Sequence, residues 1–206
     1  MTPARFSVLF VSTGNVCRSP LAEGILRHDL ALALGPAASA FRCESSGTWG
    51  HVGAGMERHA ADVLRERGAE PEGFVARELG ADQVLSADLV LGATREHREQ
   101  VRLLDPYAVG RAFSIREFAR LARGVDPADL PTTDPATRAR VLVDRVALVR
   151  TPRPGPGHVD DDIPDPFGAP LHSFRLCADT IAEGLSCLVE LLRPASVAGH
   201  RGRSVG

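Results

Sequence analysis

Val11-Ser12-Thr13-Gly14-Asn15-Val16-Cys17-Arg18-Ser19-Pro20 lies between two segments of different periodicity. Before it, Phe6 to Val11 is an apolar run rich in aromatic and β-branched residues, the pattern of a buried strand. After it, Leu21, Ile25, Leu26 and Leu30 recur at helical spacing, with Ser19 suited to the N-cap and Pro20 to the first helical position. The run therefore reads as strand, tight loop, helix. Gly14 and Asn15 tolerate left-handed backbone angles, which let successive N–H groups turn inward. Those amides and the positive end of the helix make an anion site. Arg18 adds a planar fork that can hold two phosphate oxygens.

The run resembles the phosphate-binding loop of the low-molecular-weight protein tyrosine phosphatases, which reads Cys-x5-Arg-Ser-Pro. The resemblance implies that Thr13, Gly14, Asn15, Val16, Cys17, Arg18 and Ser19 hold phosphate and that the nucleophile position is Ser12. A thiolate there would be activated by the amides and Arg18. A serine hydroxyl stays protonated in the same field, and the motif carries no His-Asp pair to act as its base. Phosphate binding with little or no turnover is the expectation. Cys17 adjoins Arg18 instead of preceding it by six residues, and reads as a structural thiol.

The family places a general acid in an Asp-Pro pair just before its last helix, which implies that role for Asp165 in Asp165-Pro166. A leaving phenolate needs a proton, and a carboxylic acid held over the phosphate can give it. A neutral acid of that kind predicts that Asp165→Asn leaves phosphate binding unchanged. The resemblance also implies aromatic pocket walls at Trp49 and Phe167, with Gly168 where a second aromatic often follows. It gives Ser45 a hydrogen bond to the loop and nucleophile, and Asn15 a bracing role. Phe74 stands where well-known members carry a loop-bracing His, a second departure from the pattern.

Strand and helix patterns alternate along 206 residues, which argues for a parallel sheet with helices on both faces. The resemblance narrows this to a three-layer α/β/α fold with a four-stranded parallel sheet and the phosphate loop after the first strand. Further strands are read at Phe41 to Ser45, Leu89 to Gly92 and Arg111 to Ser114. Helices are read at Met56 to Arg67, Arg95 to Leu104 behind a Thr94 cap, Ile115 to Leu121, and Ser173 to Leu192. Residues 1–193 form one phosphatase-like domain in this reading, with an atypical helical insertion at about 124–159. That insertion holds a helix opened by Asp134-Pro135 and a Pro/Gly-rich loop from Thr151 to His158. Residues 194–206 read as a disordered tail.

The net charge of −2 suggests neither nucleic acid nor an anionic membrane as partner. No membrane span and no signal peptide are read, so a cytoplasmic protein is expected. The four cysteines, Cys17, Cys43, Cys177 and Cys187, lack zinc spacing and read as free thiols. All 24 basic residues are arginine. The seven histidines show no metal spacing and read as surface or helix-end residues, and Arg95 to Glu99 as a solvated charged face. No cofactor or metal is expected. The resemblance implies a phosphate or phosphotyrosine-bearing substrate as partner.

Three functional readings follow: a phosphate-binding pseudophosphatase, a Cys-to-Ser substrate-trapping form of an active tyrosine phosphatase, or a serine-nucleophile hydrolase of another phosphomonoester with His158 as candidate base. Arsenate reduction, which some relatives perform, needs an attacking thiolate and a cysteine relay that Ser12 removes.

Overall fold

The computed structural model describes residues 5–150 and 161–193; the Thr151–His158 loop, Asp160 and the 194–206 segment lie outside them. Four parallel strands, β1 (Phe6–Ser12), β2 (Phe41–Gly47), β3 (Leu89–Gly92) and β4 (Ala112–Ser114), form one sheet in the order β2-β1-β3-β4. Strand β1 is buried throughout, and its alternation serves both faces. Phe6, Val8 and Phe10 enter the larger core, whereas Leu9 and Val11 enter a smaller one.

Helices α1 (Arg18–Leu34), α2 (Arg58–Glu66), α5 (Ile115–Ala122), α6 (Pro135–Val149) and α7 (Leu171–Leu192) contribute to the larger core. Helices α3 (Ala81–Ser86) and α4 (Arg95–Leu104) cover the smaller one. The result is the expected three-layer α/β/α arrangement. Helix α3 escaped the sequence reading because six residues carry too little periodicity to register.

Thr94 caps α4 as the sequence reading has it, its hydroxyl accepting the His97 N–H. Asp134 likewise caps α6 through the Thr137 N–H at 2.9 Å. The buried face of α6, with Ala139, Leu142, Val143 and Val146, joins the core shared by α5 and α7. One local expectation is corrected. Helix α1 begins at Arg18 with Cys17 at the N-cap, not with Ser19 there and Pro20 first. The Ser19 hydroxyl is engaged by Ser12 and Asn15, so it does not cap the helix.

The chain passes from β1 to β2 on one side of the sheet and then to β3 on the other side of β1. A reversal of this kind opens a crevice beyond the carboxyl ends of the strands, where open α/β sheets bind ligands. Ser12 is the last residue of β1, opposite Gly47 of β2.

Candidate active site

The loop from Ser12 to Arg18 is shaped by what its carbonyls bond. Ser12 O, Thr13 O, Gly14 O and Val16 O accept the N–H groups of Thr48, Trp49, His51 and Glu57 at 2.9–3.0 Å. No cis peptide occurs among the described residues, and across a trans peptide the C=O and the next N–H point in opposite directions. Carbonyls drawn outward thus aim the amides of Thr13, Gly14, Asn15 and Cys17 inward. The first-turn amides of α1 have no acceptor within the helix, so the positive end of α1 faces the same space.

Asn15 provides the turn, with φ of 54° in the left-handed region. Its Nδ2 donates to Ser19 Oγ and Ser45 Oγ, both at 2.9 Å, while its Oδ1 accepts the Arg77 N–H at 2.8 Å. The brace is built from serines and backbone. Phe74 lines a small neighbouring cavity with Glu23. Gly47 permits the close approach of β2: a Cβ there would lie 2.5 Å from Thr13 O and 2.9 Å from the Asn15 nitrogen.

Ser12 is buried, its Oγ 2.7 Å from Ser19 Oγ and accepting the Ser19 N–H at 3.3 Å. Ser45 does not hydrogen-bond Ser12; its hydroxyl accepts from Asn15 and donates to Glu23 at 2.7 Å. Burial raises the pKa of the Glu23 carboxyl, opposed by the Ser45 hydrogen bond. Cys17 is buried and burial pushes its thiol up to about 12, which leaves it protonated near neutral pH.

Arg18 is held from three directions. Nη1 donates to Ile163 O at 3.1 Å, Nη2 to Thr13 Oγ1 at 3.1 Å, and Nη2 also to Asp165 Oδ2. The segment carrying Ile163 and Asp165 is pinned in turn. Ile163 N–H bonds Ala93 O at 2.9 Å, Asp162 pairs with Arg95 at 2.9 Å, and Asp161 pairs with Arg120 at 2.8 Å. Arg18 and Asp165, 147 residues apart in sequence, thus meet over the end of β1.

Ser12, Thr13, Gly14, Val16, Cys17, Arg18, His51, Asp165 and Phe167 line a cavity of about 120 Å³. Trp49, assigned to the wall from the sequence, is 81% exposed and outside this lining; its backbone N–H braces Thr13 O instead. His51 takes the wall facing Phe167, the two ring centroids 6.2 Å apart. A second histidine corrects the reading of Arg95 to Glu99 as a wholly solvated face. His97 is 6% exposed, with Nε2 3.0 Å from Thr13 Oγ1 and Nδ1 2.7 Å from Thr94 Oγ1. Burial, reinforced by the Arg18 charge, lowers its pKa to about 4. Among the described residues no group of three or more His, Cys, Asp or Glu side chains converges on a metal site.

The profile of the family described as low molecular weight phosphotyrosine protein phosphatase matches residues 7–139. This chain belongs to that family. The family member Etp of Escherichia coli strain K12, a low molecular weight protein-tyrosine-phosphatase, is 32% identical over 121 residues, 59% of this chain and 76% of its own. The low molecular weight protein tyrosine phosphatase of T. tengcongensis superposes with a TM-score of 0.65 at 26% identity, covering 90% of this chain and 98% of its own. A C7S mutant of the YwlE arginine phosphatase, described as having a phosphorylated active site serine, gives 0.66 at 22% identity, covering 92% and 97%. No helix among the described residues is long and apolar enough to cross a membrane.

Proposed function

We propose that this family member holds phosphate, or the phosphate of a phosphotyrosine-bearing substrate, in the Ser12–Ser19 loop and turns it over slowly or not at all. The observation that carries the reading is Arg18: a buried guanidinium fixed by Thr13 and Ile163 beside Ser12, at the mouth of inward-facing amides. The apolar faces of Val16 and Phe167 suit an aromatic leaving group. Ser12, Arg18 and Asp165 stand in the places of nucleophile, transition-state anchor and general acid. The hydroxyl of Ser12 lacks the low pKa that activates a thiolate in this field. Residues 1–193 act as one domain in this reading, a view supported by the entry of α6 into the common core. A cytoplasmic setting fits four cysteines that are all free thiols.

A second reading draws on the YwlE mutant, whose serine is phosphorylated. Ser12 would take a phosphoryl group from an aryl phosphate and keep it. Its oxygen bonds phosphorus as the aryl oxygen leaves, and the hydroxyl proton ends on that leaving oxygen. The alkyl phosphate so formed has a poor leaving group and persists.

One experiment separates these readings: 4-nitrophenyl phosphate turnover by this chain and by Ser12→Cys, with intact mass measured on each. Activity in the cysteine form alone, with phosphate bound by both, is the expected result. A stoichiometric burst leaving one phosphoryl group on Ser12 selects the acceptor reading. Steady turnover by the serine form at a rate within about tenfold of the cysteine form overturns both.

A further inference from the structure

The mechanism assigned to the loop leaves one buried polar group unused, His97. It sits in the first turn of α4, behind Thr13 and away from the cavity lining. Its low pKa makes the ring neutral at pH 7, so one ring nitrogen carries a proton and the other a lone pair. Thr94 bears on which is which. Its Oγ1 accepts the His97 backbone N–H at 3.3 Å and lies 2.7 Å from Nδ1. Thr94 Oγ1 still has its own proton to give, and in the tautomer where it donates that proton to Nδ1 the ring proton sits on Nε2, 3.0 Å from Thr13 Oγ1. Thr13 Oγ1 also accepts from Arg18 Nη2 at 3.1 Å. With both lone pairs engaged, Thr13 keeps only its O–H to offer, and Thr13 lines the cavity.

We infer that His97 is a positioning residue: its Nε2–H fixes Thr13 Oγ1, Thr13 fixes the Arg18 guanidinium, and the Thr13 hydroxyl becomes a donor to an oxygen of bound phosphate. This rests on the phosphate-loop reading above. It adds a line of fixed groups, Thr94 to His97 to Thr13 to Arg18, that ties the start of α4 to the anion site.

The test is a double-mutant cycle read by inorganic phosphate affinity in calorimetric titration, on folded protein, with the unaltered chain as reference. His97→Leu keeps bulk and removes the donor; it is expected to weaken phosphate about tenfold, and Thr13→Val by a similar factor, as loss of about one hydrogen bond each. The double variant should bind no worse than the weaker single, because His97 acts through Thr13. His97→Gln, which can still donate to Thr13, should stay within about threefold of the reference. Multiplying effects in the double variant, or full affinity in His97→Leu, overturns the inference while leaving the phosphate site intact. Failure of the unaltered chain to bind phosphate removes both. Imidazole 15N shifts of the unaltered chain give an independent reading that needs no variant: a proton on Nε2 supports the inference, and one on Nδ1 overturns it.

Discussion

Asp165 Oδ2 accepts a hydrogen bond from Arg18 Nη2, the same nitrogen that reaches Thr13. The carboxylate thus occupies an edge of the guanidinium that a phosphate bound as proposed would have to share. The side chain of Asp165 is 44% exposed, so the pair is partly screened by water.

This contact revises the expectation that Asp165→Asn is silent in binding. Removing a competing negative charge should tighten phosphate by about two- to fivefold, the scale of a half-exposed ion pair. In a Ser12→Cys background the same change should lower 4-nitrophenyl phosphate turnover by about 10²-fold, the scale of a general acid. Unchanged phosphate affinity would show that the Arg18–Asp165 contact does not compete.

Arg18→Ala should abolish measurable phosphate and vanadate binding. The inward amides remain, but the full positive charge and its fork are gone. Affinity retained within about threefold, measured by competition against vanadate, would refute the anion-site reading.

His97 should make stability depend on pH. Its folded pKa of about 4 lies below the ordinary histidine value of 6.5, so the unfolded chain binds the extra proton between those limits. Its contribution is therefore fully present above about pH 6.5 and is lost as pH falls towards 4, by about 3 kcal/mol in all. Urea unfolding at pH 7.5, 5.5 and 4.5 should show a steeper acid loss in the unaltered chain than in His97→Gln. Parallel curves would count against a buried neutral imidazole.

Gly47→Ala should damage the loop from the neighbouring strand. Its Cβ would fall 2.5 Å from Thr13 O, a backbone atom that cannot swing aside. The cost is expected at roughly 1–3 kcal/mol of stability. Phosphate affinity should fall about tenfold, or 1.4 kcal/mol. Denaturant midpoint and phosphate titration on one sample check both, and an unchanged midpoint would mean that the strands separate more easily than this packing implies.

Much of the architecture is local and therefore legible. The apolar run of β1, the Thr94 and Asp134 caps and the Leu/Ile spacing of α1 each encode a strand or helix through nearest neighbours. Ser12, Asn15 and Arg18 stand on one continuous loop, so their proximity follows from chain connectivity. Helix α1 starts at Arg18, ahead of the Ser19-Pro20 capping pattern, because the Ser19 hydroxyl turns to Ser12 and Asn15, partners that capping patterns do not describe.

The sequence by itself determined the local chain path: a strand-to-helix loop that carries Arg18 and ends its strand on the Ser12 hydroxyl. Tertiary structure decided what surrounds it. Trp49 passed from wall to outer brace and His51 took the wall, because residues 48–57 are fixed by hydrogen bonds to the loop carbonyls and not by any local pattern. His97 looked solvated among Arg95, Glu96, Arg98 and Glu99, yet it is buried. In a helix of 3.6 residues per turn a single polar position can face inward, and only the pairing of β1 with β3 brings that position behind Thr13.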